Sequence, residues 1–190
     1  MRRILLLLTS IVVALGMAAW GKRGQVEREQ NNSTPEATVA ALLDAVKEGD
    51  QTKVNQYVAQ NDSMYSEESE TDITQSKIMF ENITYDIQSV DVIDTEGTAG
   101  VAVDITNIDM NIVMQQYMEK ALEASENSTD MTEEEAMTLL KDSIAENKEN
   151  TITKTVNLEV KKAEDGQWKV KTTDELNSIL TGGLSEETFQ

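Results

Sequence analysis

Few kinds of side chain in this 190-residue sequence could support acid–base or metal chemistry, because the chain contains neither histidine nor cysteine. Without histidine there is no Ser-His-Asp triad, no imidazole metal ligand and no side chain that titrates readily near neutral pH. Without cysteine there is no disulfide scaffold, thiolate zinc site, redox dithiol or cysteine nucleophile. The chemically useful groups that remain are carboxylates, tyrosine hydroxyls and methionine thioethers.

The 35 acidic side chains raise the question of calcium, but their spacing does not form a calcium loop. An EF-hand loop needs alternating Asp or Asn, a central Gly and a Glu at the twelfth position. The acidic run 129–135 is better explained by a capping box, in which Thr132 and Glu135 begin a helix and the acids complement its dipole. We therefore predict no metal site and no cofactor.

Methionines recur every four residues at Met110, Met114 and Met118, which places them on one face of a helix. A thioether cluster could hold Cu(I), although methionine more commonly fills irregular core beside a curved sheet. Because methionine adapts its shape, the same stripe could also line an apolar ligand pocket. The predicted pocket-lining residues are Tyr57, Tyr85, Met110, Met114, Tyr117 and Trp168.

The charge of the chain excludes whole classes of partner. With 16 basic and 35 acidic side chains, the formal charge is −19. This argues against nucleic acids, whose binding depends on cations that neutralise phosphates, and against anionic lipid surfaces. We interpret the lysines near the C-terminus as charge balance and as protection of exposed sheet edges; they are Lys154, Lys161, Lys162, Lys169 and Lys171.

The N-terminal residues 1–20 predict export. Two arginines precede an apolar run that ends at Trp20, which is the order of a secretory signal peptide or a membrane anchor. Residues 17–22 resemble a bacterial lipobox, but Trp20 stands at the position of the lipid-accepting cysteine, and an indole cannot form a thioether. Residues 21–33 are polar and predict a flexible tether. We expect the protein at the outer face of the cytoplasmic membrane or in the medium.

Residues 34–183 predict one domain, followed by an acidic tail at 184–190. Thr34 and Gly49 bound a first amphipathic helix. Asp50 can cap a second helix, which carries Val54, Tyr57 and Val58. A polar acidic loop covers 61–72, and a short helix covers 75–80. Thr172 is predicted to cap the last helix, which ends at the glycines 182–183.

Period-two alternation predicts two antiparallel hairpins. Strands over 83–92 and 101–105 form the first, with a β-bulge near Ser89 that bends the sheet. The second hairpin turns at Asp165-Gly166, and a helical insertion, residues 110–148, separates the two. The predicted class is α+β: a curved antiparallel sheet packed on the N-terminal helices as a cone, with a pocket at its mouth.

Two stretches carry a resemblance to a known family: residues 34–50, TPEATVAALLDAVKEGD, and residues 165–170, DGQWKV, followed by 177–183. They resemble exported lipoproteins of Gram-positive bacteria that share a nuclear-transport-factor-2-like, or cystatin-like, cone domain and are mostly domains of unknown function. The resemblance spans about residues 34–183. It implies the cone fold, which hosts enzymes, binding modules and scaffolds.

Some members of this superfamily are isomerases or dehydratases, which the resemblance makes an alternative. The dehydratase pattern uses a histidine, which is absent here. The isomerase pattern uses a carboxylate base with a tyrosine and a protonated aspartate as oxyanion donors, for which Tyr57, Tyr85, Asp86 and Asp104 are the candidates. The strand phase, however, places both aspartates on the sheet face opposite to Tyr85. We therefore predict no catalytic residue.

The sequence favours a non-enzymatic, exported domain that binds a small apolar ligand or a protein partner through the cone mouth. An isomerase-like or dehydratase-like enzyme is one alternative. A scaffold that forms homodimers through its exposed sheet face is the other.

The fate of the N-terminal segment can be tested by mass spectrometry of the membrane and medium fractions. We expect cleavage after Ala18 or Gly21, where small residues suit a general signal peptidase, or an uncleaved anchor. Because Trp20 cannot accept a lipid, no thioether-linked lipid should be present. Detection of such a lipid on this chain would contradict the interpretation.

Overall fold

The computed structural model describes residues 34–59, 77–93, 97–127 and 131–184. The predicted export segment, tether and acidic loop lie outside these residues, as does the tail beyond residue 184. Within the described ranges, no helix is long and apolar enough to cross a bilayer.

The described residues form an α+β fold with one four-stranded antiparallel sheet in the order β1-β2-β3-β4. The strands are β1 (Thr84–Ile93), β2 (Thr98–Ile108), β3 (Thr151–Lys162) and β4 (Trp168–Val170). The helices are α1 (Pro35–Glu48), α2 (Gln51–Tyr57), α3 (Met110–Asn127), α4 (Glu133–Glu146) and α5 (Asp174–Leu180). The curved sheet packed on helices and the insertion of α3 and α4 between two hairpins confirm the predicted architecture.

Local sequence signals explain where the helices begin. The Thr34 hydroxyl accepts the N–H of Ala37 at 3.2 Å, so it caps α1 as predicted. Asp50 caps α2 by accepting the N–H of Lys53 at 3.0 Å, and this hydrogen bond lowers the pKa of the Asp50 carboxyl. Before α4, the predicted capping box of Thr132 and Glu135 is present.

The cap of α5 corrects one prediction. Thr173, not Thr172, accepts the N–H of Leu176, at 3.2 Å. The reason is that sheet pairing continues past β4: the N–H of Lys171 donates to the carbonyl of Glu159 at 2.9 Å. The extended backbone therefore persists further along the chain before the helix can begin.

The predicted bulge lies at Gln88. Ile87 pairs with Val103 and Ser89 pairs with Ala102, so Gln88 is an extra residue in β1. A bulge bends its strand and increases its twist, which curves the sheet over the helices.

The core lies between the inner face of the sheet and the helices α1, α2 and α5. Alternate residues of β2 are buried, and the side chains of Val101, Val103 and Ile105 are fully enclosed. Leu42 and Leu43 of α1 are equally buried. Burying a side chain of this size contributes about 1.5–3 kcal/mol, so this layer of apolar contacts stabilises the domain.

The helical insertion builds a second, smaller core. Ile108, Met110, Val113 and Ile144 are buried together where α3 leaves the sheet and meets α4. On the side of α3 that faces α4, Lys120 pairs with Glu146 at 2.8 Å. This hydrogen bond lowers the pKa of the Glu146 carboxyl.

One buried polar side chain joins the two cores. Asn107, only 1% exposed, donates its amide hydrogens to the carbonyls of Leu180 at 2.7 Å and Met79 at 3.3 Å. Its carbonyl oxygen accepts the N–H of Ile108 at 2.8 Å. The end of β2 is thereby tied to the end of α5 and to the helical turn 77–80, and every polar atom of the amide has a partner.

Beside Asn107, the chain after α5 approaches the start of α3 closely. Gly182 has a φ of 64°, and its carbonyl accepts the N–H of Met110 at 2.9 Å. A Cβ atom at residue 182 would lie 2.3 Å from the carbonyl oxygen of Ile108 and 2.5 Å from Cγ of Met110. Only glycine fits this position without a shift of the backbone.

We expect Gly182→Ala to lower the free energy of unfolding by about 2–5 kcal/mol, because a left-handed alanine costs about 1–2 kcal/mol and overpacking about 1–3 kcal/mol. Gly166→Ala is the matched control. Gly166 has a φ of 81°, but nothing lies within 4 Å of the position of a Cβ atom, so only the cost of the left-handed conformation applies. Urea unfolding followed by circular dichroism measures both. Equal losses in the two variants would show that the close approach is not a constraint.

Candidate interaction surface

The predicted pocket-lining residues do not converge on one place. Tyr57 and Trp168 are buried in the core between the sheet and the helices, where they are 5% and 7% exposed. Tyr85 is half-buried at the margin of the same core.

The other predicted pocket-lining residues lie on the helical insertion. Met110 is buried in the second core, and Met114 and Tyr117 are half-buried on α3. Tyr57 and Trp168 thus belong to the first core and Met110 to the second, and a pocket lined by the predicted set stays a prediction.

The hydroxyl of Tyr85 is engaged with α1. It lies 2.8 Å from Oδ1 of Asp44 and 3.2 Å from the carbonyl oxygen of Ala40, and both atoms accept its hydrogen. This contact fastens β1 to α1. The sequence did not identify Asp44 as a partner of Tyr85, because it shows only that Asp44 is a polar residue at the border of the apolar stripe of α1.

The candidates for isomerase chemistry are separated by the sheet. Asp86 and Asp104 lie opposite each other on the outer face, as the strand phase predicted, whereas Tyr85 and Tyr57 lie on the inner side. These two carboxylates therefore cannot act beside either tyrosine. In the described ranges, no group of three or more acidic side chains could hold a metal ion.

The side of the sheet that faces away from the helices is named here the outer sheet face. It comprises Thr84, Asp86, Ser89, Asp91, Thr98, Gly100, Ala102, Asp104, Thr106, Thr153, Thr155, Asn157, Glu159, Lys161 and Lys169. None of these residues is buried. The helices α1, α2 and α5 pack on the opposite side of the sheet, so this face is accessible to a partner.

A hydrogen-bond network fixes the acidic end of the outer sheet face. Asp86 and Asp104 are register partners, an arrangement in which like charges repel. The side-chain amide of Gln88 lies between them and donates to both, at 3.0 and 2.9 Å. The hydroxyl of Thr155 donates to Asp104 at 2.5 Å. The bulge residue Gln88 thus compensates the charge repulsion that the register creates.

Small side chains occupy the middle of the outer sheet face. Ala102 lies between Ser89 and Asn157, and in the next row Gly100 lies between Asp91 and Glu159. Nothing lies within 4 Å of the position where Gly100 would carry a Cβ atom. The backbone of a partner could therefore approach the sheet closely along β2.

Lysines mark the opposite end. Lys161 and Lys169 are register partners, and Lys161 contacts Glu159 at 3.0 Å. The hydrogen bond from Lys161 is the main reason why the pKa of the Glu159 carboxyl is lowered. Lys162 lies over the ring of Trp168, with its ammonium 5.8 Å from the ring centroid. The ammonium of Lys169 donates to the carbonyl of Gln56 on α2, so the outer sheet face carries the paired Asp86 and Asp104 at one end and Lys161 at the other.

No protein-family model and no curated protein matches this chain. Among solved structures it resembles ycdA of Bacillus subtilis subsp. subtilis str. 168, described as a candidate lipoprotein, with a TM-score of 0.49 and 18% sequence identity. The alignment covers 75% of this chain and 54% of ycdA, so the chain spans about half the length of that protein. A likeness this distant assigns neither a family nor an activity, and membership of the nuclear-transport-factor-2-like family stays a prediction.

The charge contact on the outer sheet face can be tested by carbon-13 NMR titration of Glu159. Because Lys161 favours the ionised carboxyl, we expect a pKa below the ordinary value for Glu. The contact then stabilises the fold above the pKa of the unfolded chain, and this contribution is lost as the pH falls through the lower folded-state value.

In Lys161→Gln the pKa of Glu159 should rise towards its ordinary value. Lys154→Gln is the control, because Lys154 pairs with Glu175 at 3.3 Å and not with Glu159. If the Glu159 titration is the same in both variants, the contact with Lys161 is absent in solution.

Proposed function

We propose that this protein is an exported, non-enzymatic binding domain that recognises a macromolecular partner through the outer sheet face. Its N-terminal segment would hold it at the outer face of the cytoplasmic membrane. The observation that carries the proposal is the contrast between the two sides of the sheet: the inner side is a packed core, and the outer side is exposed and electrostatically ordered.

Exposure of one sheet face is common in antiparallel sheets, so the proposal depends on the organisation of this face. The carboxylate of Asp104 is held by Gln88 and Thr155 before any partner arrives. Preorganised side chains lose less conformational entropy on binding, and separated acidic and basic ends fix the orientation of a partner.

The size of the outer sheet face supports a protein partner. With the usual spacing of about 4.8 Å between strands and a rise of about 3.4 Å per residue, the three long strands β1, β2 and β3, each of at least ten residues, cover roughly 14 by 34 Å. This area is a large part of the roughly 800 Å² that each partner buries in a standard interface. The small-ligand alternative has less support, because Tyr57 and Trp168 are buried among core side chains.

A dimerising scaffold is the second candidate, and the charge pattern favours it. Asp104 and Thr98 lie six residues apart on β2, or about 20 Å. Thr98 pairs with Lys161 of β3. A two-fold axis midway between Asp104 and Thr98 would place the Asp104 of each copy opposite the Lys161 of the other. Such an arrangement satisfies the self-complementarity of a two-fold interface.

Photo-crosslinking in the bacterium that carries the gene tests the proposal. p-Benzoylphenylalanine is placed at Asn157, an exposed residue in the middle of the outer sheet face, or at Asn55, an equally exposed residue on α2. We expect a discrete adduct from Asn157 and none from Asn55, because only the former faces the partner. An adduct of twice the chain mass would identify the dimer. No adduct at Asn157, or the same adducts from both positions, would contradict the proposal.

A further inference from the structure

The first strand lies at one edge of the sheet. Among the residues that the structure describes, only β2 pairs with β1, whereas β4 at the other edge is bridged by Val58. An unpaired edge presents a row of backbone N–H and C=O groups that an extended segment can join. After the bulge, residues 89–93 pair regularly with β2, so this stretch offers a straight edge.

The inner flank of this stretch is apolar and incompletely covered. Val90 is half-buried and Val92 is 47% exposed. Their register partners on β2, Val101 and Ala99, are 0% and 1% exposed. A strand added beside β1 would cover both valines if its inward side chains were apolar.

The outer flank of the same stretch carries an acidic side chain. Ser89 and Asp91 are exposed on the outer sheet face, and Asp86 follows on the far side of the bulge. An outward side chain of an added strand would lie beside Asp91, where a basic residue is favoured.

A second copy of β1 does not suit this edge. Antiparallel pairing of two such strands would bring the acidic outer flanks together, and like charges on neighbouring strands are destabilising. The formal charge of −19 opposes it further.

We infer that residues 89–93 of β1 accept an extended segment of a partner protein whose side chains alternate between basic and apolar. The segment adds a strand to the sheet: its backbone pairs with β1, its apolar side chains cover Val90 and Val92, and its basic side chains face Asp91. This is recognition by strand addition, in which backbone bonds give affinity and alternate side chains give specificity. The inference rests on the proposed binding function and specifies the chemistry of the partner.

The test uses the full chain in a neutral detergent and a fluorescein-labelled octapeptide of alternating lysine and valine. Fluorescence anisotropy should show binding at least about fivefold tighter than for an isomer with its lysines in one half and its valines in the other, because only strict alternation matches the period of a strand. Hydrogen exchange should slow at residues 89–93 when the alternating peptide is bound. Equal affinity for the two peptides would overturn the inference.

Two matched variants locate the site. Val92→Lys places a charge on the apolar flank, and we expect it to weaken binding about tenfold. Ile112→Lys makes the same change at a residue of α3 with a similar exposure, 41%, and should leave the affinity unchanged. An equal loss in both variants would show general charge repulsion rather than a site on β1.

A backbone control completes the experiment. The alternating peptide methylated at every backbone nitrogen cannot donate hydrogen bonds to β1, and it should not bind; unchanged affinity would overturn the inference. The photo-crosslinking at Asn157 is independent of this assay. Crosslinking without peptide binding would overturn the strand-addition inference alone, and peptide binding without crosslinking would overturn the outer-face proposal alone.

Discussion

The amide of Asn107 is the interaction on which the arrangement of this domain depends. A buried amide must find partners for its donors and its acceptor, since an unpaired buried polar group costs about 1–3 kcal/mol. Here the partners belong to three separate parts of the chain: the end of α5, the turn 77–80 and the following residue of β2. The requirement fixes where the helices end against the sheet, and Gly182 allows the chain after α5 to reach the start of α3.

Apart from the end of β1 at Val90 and Val92, this arrangement packs the inner side of the sheet into the core. The aromatic groups that could have served a ligand, Tyr57 and Trp168, pack against aliphatic residues there, and the hydroxyl of Tyr85 is tied to α1. What is left to a partner is the outer sheet face and the edge at β1. Both surfaces are built from strands and not from loops, so the proposed recognition would need little rearrangement of the backbone.

Sequence alone predicted the features that depend on neighbouring residues. The helix caps at Thr34, Asp50 and Thr132 follow from side chains that bond a backbone N–H three positions away, and the bulge follows from a slip in the alternation of β1. The cap of α5 was misplaced by one residue because sheet pairing at Lys171 delays the helix. The hydrogen bonds from Gln88 to the two aspartates and from Asn107 to α5 were not predictable. Both depend on strand register and on contacts between residues far apart in sequence. The predicted pocket-lining residues lie in separate parts of the fold for a related reason: helical spacing does not reveal which core a helix joins.

The position of Trp168 has an optical consequence. Its indole is 7% exposed and lies beneath the ammonium of Lys162, at the point where the β3–β4 hairpin meets the core. An indole in an apolar environment emits at shorter wavelength than one in water, and the nearby cation alters its emission further. Trp20 is the other tryptophan of the sequence. When Trp20 is removed by cleavage or replaced, the fluorescence of Trp168 reports whether the hairpin is docked.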